Sequence, residues 1–279
     1  MKTLDQKQVS GTNSSSGVIL ELRNVTKFYG DLRVLDDVSF QLKKGQTKII
    51  LGGSGSGKST MLKLMMGLER PDDGTVMIEG QDITHMNERA LGRIRPKIGM
   101  VFQESGLFDS LSVFDNVAYR LYELNLEEDE IEERVRRVLG FVGLEEAIDR
   151  MPAELSGGMK RRVALARTLV SEPKIMLYDE PTAGLDPVTS RRINELIIRL
   201  RDTQGVSGVF VTHRLRDAFT LASEYALESN GSLQFKREDG TFCLAHTRFV
   251  MLNLGKIVFE GPDEVLRESK DPYIQKFLS

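Results

Sequence analysis

The chain has 279 residues, of which 40% are hydrophobic and 28% are charged, a composition typical of a globular protein with one or two domains. Its net charge of −3 gives no electrostatic reason to expect a nucleic-acid partner, because phosphate backbones bind basic surfaces. The single cysteine, Cys243, excludes an intrachain disulfide and a multi-cysteine metal site, and it favours a reducing compartment such as the cytoplasm.

The first 17 residues are rich in Ser, Gly, Thr, Asn and Gln and lack the apolar core of a secretory signal, so we expect a disordered leader. No apolar run reaches the roughly 18 residues that a membrane-spanning helix needs. The remaining residues, 18–279, are expected to form one domain.

Strand patterns dominate the first third of that domain. Residues 18–45 alternate apolar and polar side chains, which predicts an antiparallel β layer. Four later runs, KIILGG, KIGMVFQ, KIMLYDE and GVFVTH, are short, almost wholly apolar and end in polar or Gly residues. Such runs are typical of parallel strands buried on both faces, and the ends of these strands are where an α/β sheet binds ligands.

Helical patterns replace strand patterns between residues 104 and 170. Apolar residues recur there at helical spacing among interleaved acidic and basic residues. This stretch is therefore predicted to be a helical subdomain inserted into the order of the strands.

A glycine-rich segment follows the KIIL strand and precedes a helical pattern. It fits the phosphate-binding pattern G-x-x-x-x-G-K-[ST], because its glycines let backbone N–H groups approach phosphate oxygens closely. Lys58 is expected to contact the β and γ phosphates of a nucleotide, and Ser59 to bind Mg²⁺. The predicted nucleotide-binding residues are Gly52, Gly53, Ser54, Gly55, Ser56, Gly57, Lys58, Ser59 and Thr60.

The run KIMLYDEP ends in two carboxylates. Adjacent carboxylates at a strand end are often solvated or cap a helix. Beside a phosphate loop, however, Asp179 is expected to hold the magnesium shell and Glu180 to polarise the attacking water.

The segment LSGGM leads into the helical pattern KRRVALARTLV. Ser156, Gly157 and Gly158 make a small-residue turn at a helix N-terminus, and such a turn can bind an anion. Taken alone, a turn of this kind is usually only the start of a helix.

Together, the phosphate loop, LSGG and the block DEPTAGLD resemble the nucleotide-binding domain of ATP-binding cassette (ABC) proteins from about Val18 to the C-terminus. The resemblance implies an α/β P-loop NTPase with a mostly parallel, RecA-like core sheet, an antiparallel β subdomain and an inserted helical subdomain. It also implies that the chain hydrolyses ATP with Mg²⁺ as cofactor.

The resemblance assigns roles to four further residues. The ring of Tyr29 would stack on adenine, although an exposed strand aromatic is the alternative. Gln103 would contact the magnesium or the lytic water, and His213 would hydrogen-bond the γ-phosphate. Asp186 would lie at a dimer contact beside the partner's phosphate loop.

The family resemblance also implies a two-chain mechanism. In a head-to-tail dimer, the LSGG turn of one copy and the phosphate loop of the other hold each ATP between them. Opening and closing of this dimer would drive a transmembrane permease, which places the chain in the cytoplasm, peripheral to the inner membrane.

Three segments narrow the resemblance: FQESGLFDSLSVFDNVA, LSGGMKRRVALAR and YDEPTAGLDPVTS. They are similar to the ATPases of maintenance-of-lipid-asymmetry (Mla) systems, and Met159 stands where most cassettes carry Gln. Such ATPases work with a permease and an MCE-domain protein to move phospholipid between bacterial membranes. The apolar residues expected to meet the permease, unless they belong to the core, are Leu107, Phe108, Leu111 and Phe114.

Two other functions remain open from the sequence. One is a transporter ATPase for another cargo, such as an amino acid or a drug. The other, a non-transport ABC ATPase acting on DNA or ribosomes, is the weakest, because the chain has neither a long coiled-coil insertion nor a second cassette.

Residues 224–247 depart from the family pattern. SLQFKRE and TFCLAHT flank Asp239-Gly240, a strong two-residue turn signal, so an extra β-hairpin is predicted with Cys243 half-buried in it. The alternative is a disordered segment, given its Ser, Asn, Gly and charged residues.

Overall fold

The computed structural model describes residues 17–124, 126–229, 232–237 and 247–279. Residues 1–16 of the predicted leader, and Cys243, lie outside these ranges. The strands are β1 (Val18–Tyr29), β2 (Leu32–Lys43), β3 (Thr47–Leu51), β4 (Asp73–Ile78), β5 (Gln81–Asp82), β6 (Ile98–Val101), β7 (Ile175–Asp179), β8 (Ser207–Val211), β9 (Glu224–Ser229), β10 (Ser232–Arg237), β11 (Thr247–Asn253) and β12 (Lys256–Gly261).

The helices are α1 (Lys58–Met65), α2 (Glu88–Ile94), α3 (Val113–Tyr122), α4 (Glu128–Val142), α5 (Gly157–Leu169), α6 (Pro187–Gln204), α7 (Leu215–Ser223), α8 (Asp263–Arg267) and α9 (Pro272–Leu278). Within the described ranges, none of them combines the length and apolar character that crossing a bilayer requires.

The main sheet has six strands in the order β12-β11-β3-β8-β7-β6. Strands β11, β3, β8, β7 and β6 run parallel, and β12 pairs antiparallel with β11 at one edge. Every residue of β3, β7 and β8 is buried, as expected for strands covered on both faces. The four apolar runs singled out in the sequence are thus confirmed as parallel strands of an α/β fold.

A second sheet, in the order β2-β1-β4-β5, is antiparallel throughout. The alternating pattern of β1 and β2 places one face of this sheet on the core and the other in solvent. The predicted antiparallel layer is therefore present.

The core lies on both faces of the main sheet. Because side chains alternate along a strand, Ile49 and Phe210 join the cluster that includes helices α3 to α6. Their neighbours Ile50 and Val209 join the cluster that contains the antiparallel sheet and α1. The main sheet is thus held between two apolar layers.

Helices α3, α4 and α5 occupy the stretch for which helical patterns were predicted, and they pack against one another. Ser112 starts α3, because its hydroxyl accepts a hydrogen bond from the backbone N–H of Asp115. The predicted bounds of a separate subdomain, 104–170, stay a prediction.

The segment after α7 forms a β-hairpin within the described residues, whereas residues 241–246 of the predicted partner strand TFCLAHT lie outside them. SLQFKR, in β10, pairs antiparallel with EYALES, in β9, from Ser232↔Ser229 to Arg237↔Glu224. Residues 230–231, which come between these two strands in the chain, are Asn-Gly, another strong turn signal in the sequence, and they lie outside the described residues. The predicted turn at Asp239-Gly240 lies outside the described residues.

An ion pair between a buried lysine and an exposed glutamate ties the edge strand β12 to the centre of the main sheet. Lys48, on β3, is 3% exposed, and its Nζ lies 2.5 Å from an Oε1 of Glu260 on β12. Burial is the main cause that lowers the pKa of Lys48, and the Glu260 carboxylate opposes it.

We predict that Glu260→Gln lowers the free energy of unfolding by about 1–3 kcal/mol, because it leaves a buried ammonium without its carboxylate. The matched variant Lys48→Met should lower the free energy of unfolding by less, because it removes the buried charge together with its need for a carboxylate partner. Urea denaturation of both variants checks this. A larger loss for Lys48→Met would contradict it.

Candidate nucleotide site

The phosphate loop joins the end of β3 to the start of α1. Gly57, the last residue before α1, has φ of +104°, and a Cβ there would come within 2.8 Å of the Val34 carbonyl oxygen. A Cβ at Gly52 would clash with the Leu252 carbonyl oxygen. The loop path therefore needs glycine at both positions, which keeps its backbone open to an approaching phosphate.

Lys58 is folded back into this loop. Its Nζ donates hydrogen bonds to the carbonyl oxygens of Gly52 at 3.0 Å and Gly53 at 2.8 Å. Burial lowers the pKa of Lys58, and the nearby carboxylates of Glu180 and Asp179 oppose that effect. Within the described residues, the buried Oγ of Ser56 has no hydrogen-bond partner. A charged donor and an unsatisfied hydroxyl thus both lie in the loop.

The predicted metal ligands Ser59 and Asp179 are brought together. The Ser59 hydroxyl donates to Asp179 Oδ1 at 3.0 Å across α1 and the end of β7. Burial raises the pKa of Asp179, the hydrogen bond from Ser59 lowers it, and the Glu180 charge raises it further. One hydroxyl and one carboxylate form an oxygen donor set that suits Mg²⁺, which typically completes its shell with water and substrate phosphates.

Glu180 and His213 are also brought together. Glu180 Oε1 lies 2.7 Å from His213 Nδ1, and the Thr212 hydroxyl donates to Glu180 Oε2 at 3.3 Å. Glu180 has φ of +48°, a left-handed backbone conformation unusual for a side chain of this size. Its side chain is 10% exposed, whereas that of His213 is 61% exposed. His213 is therefore open to a ligand from the solvent side, with Glu180 behind it.

Tyr29 and Gln103 lie in different surroundings. Tyr29, the last residue of β1, is 42% exposed, its hydroxyl interacts with Thr60 at the start of α1, and the Lys27 ammonium lies 5.4 Å from its ring centroid. Gln103 is exposed in the loop that follows β6. Tyr29 thus lies beside the phosphate loop, whereas Gln103 lies just beyond the end of β6, the strand that pairs with β7.

Ser156 and Asp186 each begin a helix. The Ser156 hydroxyl accepts from the Met159 N–H at 3.3 Å, and Asp186 Oδ1 accepts from the Val188 and Thr189 N–H groups at 3.0 Å each. Both residues are exposed. Among the hydrogen bonds of the described residues, none joins either cap to the phosphate loop of the same chain.

A buried polar network beside Glu180 was missed in the sequence. Asp217, on α7, is 2% exposed and accepts from Thr182 Oγ1 at 2.7 Å and Asn194 Nδ2 at 2.9 Å. Arg214 lies 3.4 Å from the same carboxylate and donates to the Thr182 carbonyl oxygen at 2.8 Å. The available signal was a carboxylate on the face of α7 that carries Ala218, Leu221 and Ala222.

The network reaches the catalytic candidates through the backbone. The Thr212 hydroxyl, which donates to Glu180, accepts from the Arg214 N–H at 3.0 Å. Arg214 and Asp217 therefore fix the segment after Glu180 against the segment after His213.

A glycine-rich phosphate loop, a hydroxyl–carboxylate pair and a carboxylate–histidine pair, all at the carboxyl ends of parallel strands, define a P-loop nucleoside triphosphatase. The family model described as "ABC transporter" matches residues 35–183. The chain belongs to this family and is an ABC-type ATPase, which hydrolyses ATP to ADP and phosphate.

Relatives and solved structures agree with this assignment. The chain is 39% identical over 278 residues to the chloroplastic protein trigalactosyldiacylglycerol 3 of Arabidopsis thaliana, covering 96% of this chain and 76% of that protein. It is 35% identical to the probable ribonucleotide transport ATP-binding protein mkl of Mycobacterium leprae, covering 94% and 69%.

Among solved structures, the ATP-binding cassette MJ0796, in a dimeric post-hydrolysis state with ADP and Pi, superposes with a TM-score of 0.73 and 31% identity. That match covers 88% of this chain and 98% of the other. CbiO1 of Clostridium perfringens, part of an ABC transporter complex, superposes with a TM-score of 0.75 and 29% identity, covering 91% and 92%.

We predict that Asp217→Asn lowers kcat for ATP hydrolysis by roughly 10- to 100-fold with little change in ATP affinity, because it loosens the segments that carry Glu180 and His213. Steady-state ATPase assays and ATP titrations measure both quantities. Asp263→Asn, which disrupts an Asp–Arg pair on α8, is the matched control and should keep wild-type turnover. An equal loss of kcat in both variants, or weaker ATP binding with unchanged kcat, would show that Asp217 does not position Glu180 and His213.

Proposed function

We propose that one MgATP binds across the phosphate loop, with Lys58 at its β and γ phosphates and Tyr29 stacked on adenine. The support for Lys58 is its position inside the loop, where it now donates to two backbone carbonyl oxygens. A phosphate would replace these neutral acceptors with charged ones, which form stronger hydrogen bonds. Gly52 to Thr60 would supply further donors.

Ser59 and Asp179 would hold the magnesium ion, with Gln103 approaching from the next strand. Their 3.0 Å contact supports this assignment. When bound, the ion supplies positive charge to the β and γ phosphate oxygens. Within the described part of the chain, no group of three or more His, Cys, Asp or Glu side chains could hold a metal alone. The donor set therefore suits an ion that arrives with its nucleotide.

Glu180 would orient and polarise the attacking water, and His213 would hydrogen-bond the γ-phosphate. The observation that carries this proposal is the 2.7 Å contact between Glu180 Oε1 and His213 Nδ1 at the ends of β7 and β8. The contact holds the imidazole in one orientation with Nε2 pointing away from Glu180, and Nε2 would donate to a phosphate oxygen when both ring nitrogens carry a proton. Thr212, which donates to the other carboxylate oxygen, keeps Glu180 in place.

Two copies of the chain would complete each site. Ser156, Gly157, Gly158 and Asp186 would come from the second copy in a head-to-tail dimer. The exposure of Ser156, Gly157 and Asp186, and the absence of hydrogen bonds from Ser156 or Asp186 to the phosphate loop in the described residues of one chain, support this arrangement. The similar cassette MJ0796 is described as dimeric.

We infer that the transported cargo is phospholipid, moved between bacterial membranes through a permease and an MCE-domain protein. The relative that matches 96% of the chain carries the name of a glycerolipid, trigalactosyldiacylglycerol, which supports this choice. Two other relatives are named for ribonucleotide transport and for methionine import. An ABC transporter ATPase for another cargo is therefore the second candidate.

The permease would contact the loop and helix around Phe108, and hold the ATPase at the inner membrane from the cytoplasmic side. Phe108 is 42% exposed, with its ring centroid 4.7 Å from that of Tyr119, itself 45% exposed. Leu107 and Phe114, expected at the same contact, instead pack against the main core, and Leu111 is half-buried. The exposed aromatic residues that we propose for the permease contact are therefore Phe108 and Tyr119.

We predict that Glu180→Gln keeps MgATP binding and lowers hydrolysis by about 100-fold or more, because an amide cannot accept a proton from water as a carboxylate does. The variant should also collect as a closed dimer when ATP is added, as measured by size-exclusion chromatography with light scattering. Lys58→Ala is the contrasting variant, which should lose binding and hydrolysis together. Failure of Glu180→Gln to bind ATP would make Glu180 a structural residue.

We predict that Phe108→Asp stays folded and binds ATP but no longer recovers a membrane complex, because an unpaired carboxylate in an apolar contact costs several kcal/mol. The matched control is Val265→Asp, at a 52% exposed apolar residue on α8, and it should behave like the wild type. Pull-down from membranes with mass spectrometry gives the readout. Unfolding of Phe108→Asp would instead show that Phe108 belongs to the core.

The same pull-down tests the cargo. We expect the wild-type chain to bring a multi-span permease and an MCE-domain protein. Recovery of a permease with a soluble substrate-binding protein, and no MCE-domain protein, would overturn the phospholipid proposal and leave the ATPase assignment intact.

A further inference from the structure

The side chain of Tyr273 connects the C-terminal helix α9 to the phosphate loop. The Gly53 N–H donates a hydrogen bond to the Tyr273 hydroxyl oxygen at 3.1 Å, and that hydroxyl donates to the Leu252 carbonyl oxygen at 3.1 Å. Both directions are fixed, because a backbone N–H only donates and a carbonyl oxygen only accepts. The contact with Leu252 therefore orients the hydroxyl so that its oxygen presents a lone pair to Gly53.

The peptide group between Gly52 and Gly53 is held at both ends. Its N–H is the one that contacts Tyr273, and its carbonyl oxygen, that of Gly52, accepts from Lys58 Nζ at 3.0 Å. The N–H and C=O of a trans peptide group point in opposite directions, so Tyr273 and Lys58 contact this group from opposite sides. If the group rotated, the Gly52 carbonyl oxygen would turn away from Lys58 Nζ.

This peptide group lies between two glycines, where no Cβ restricts the backbone on either side, so it reorients more easily than most. Helix α9 offers it a fixed acceptor. Asp271 Oδ1 accepts from the Tyr273 N–H at 2.8 Å at the start of the helix. Ile274 is 1% exposed and packs in the main core. The Tyr273 hydroxyl is thus anchored by a helix cap and by apolar packing.

We propose that Tyr273 is a positioning residue for ATP binding. By fixing the Gly52–Gly53 peptide group, it would keep the Lys58 ammonium at the place from which it reaches the phosphates. This inference rests on the proposed role of Lys58.

The benefit of such positioning is entropic. A lysine side chain has many rotamers, and confining Lys58 before ATP arrives reduces the entropy that is lost on binding. Among the hydrogen bonds of the described residues, none joins Tyr273 to Glu180 or His213. We therefore expect Tyr273 to affect the binding of ATP more than its hydrolysis.

The first test is Tyr273→Phe, which removes the hydroxyl and keeps the ring. Because the Gly53 N–H and the Leu252 carbonyl oxygen lose their partner, we expect KM and Kd for MgATP to rise about 3- to 10-fold, with kcat within about 2-fold of the wild type. Steady-state ATPase assays and equilibrium titrations give these values. The matched control, Tyr122→Phe, also removes a hydroxyl hydrogen bond, to Asp115 at 3.1 Å, and should change none of them.

A second variant separates the hydroxyl from the docking of α9. Ile274→Val weakens the packing of the helix and keeps the tyrosine. It should lower the free energy of unfolding, measured by urea denaturation, yet leave KM within about 2-fold of the wild type. An equal rise of KM in Ile274→Val and Tyr273→Phe would assign the effect to helix docking and overturn the role of the hydroxyl. Unchanged KM in Tyr273→Phe would overturn it as well.

A third measurement needs no nucleotide. In NMR spectra of protein labelled with [15N]glycine, the Gly53 amide should exchange with solvent about 10-fold faster in Tyr273→Phe than in the wild type or Tyr122→Phe. Equal exchange rates would overturn the inferred hold on the loop. Absence of ATP binding by the wild-type chain would instead overturn the proposed function, whereas an active wild type with unchanged KM in Tyr273→Phe would overturn this inference alone.

Discussion

Parallel pairing of β3 with β8, and of β8 with β7, fixes the relative heights of the residues around the nucleotide site. Ile50 pairs with Val211, and Val211 pairs with Asp179, so three neighbouring strands end at almost the same level. The phosphate loop starts one residue beyond Leu51, and Glu180 and Thr212 each follow their strand directly. A shift of one residue in either pairing would turn Asp179 to the opposite face of the sheet and separate it from Ser59.

Because these strands end at the same level, several groups whose burial or backbone conformation costs free energy lie close together. Lys58, Asp179 and Glu180 are all largely buried, and the two carboxylates are adjacent in the chain. Glu180 also holds a left-handed backbone conformation, which costs about 1–3 kcal/mol in a residue other than glycine. Contacts in the surrounding structure must offset this free-energy cost. The Glu180 N–H donates to the Val211 carbonyl oxygen at 3.0 Å, and the Asp217 network holds the next segment. A network deep in α7 therefore bears directly on the geometry of the site.

Local signals explain which parts were predictable from the sequence. The phosphate loop, the apolar strands and the carboxylates that follow KIMLY depend on residues close together in the chain. Asp217 was missed because its partners, Thr182 and Asn194, lie 35 and 23 residues away. The β9–β10 hairpin shows a different limit of prediction from the sequence. Asn230-Gly231 and Asp239-Gly240 are both strong turn signals, so turn chemistry alone does not choose between them. The described β9–β10 pairing also depends on packing, because β9 lies against α6 and buries Ala226.

The negative charge of ATP explains why the proposed site needs donors from a second copy of the chain. ATP brings a triphosphate to a loop in which Lys58 is the only side-chain cation, and neighbouring Asp179 and Glu180 reduce the positive potential there. Further donors are needed on the open side, and no hydrogen bond among the described residues joins Ser156 or Asp186 of the same chain to the loop. Helices α5 and α6 begin with exposed caps, and their first N–H groups carry the positive end of the helix dipole. In the proposed head-to-tail dimer, the start of α5 from the second copy would bring such donors to the γ-phosphate. Because the attraction depends on that phosphate, its loss after hydrolysis would weaken the dimer, and this links the chemical step to the opening that a permease requires.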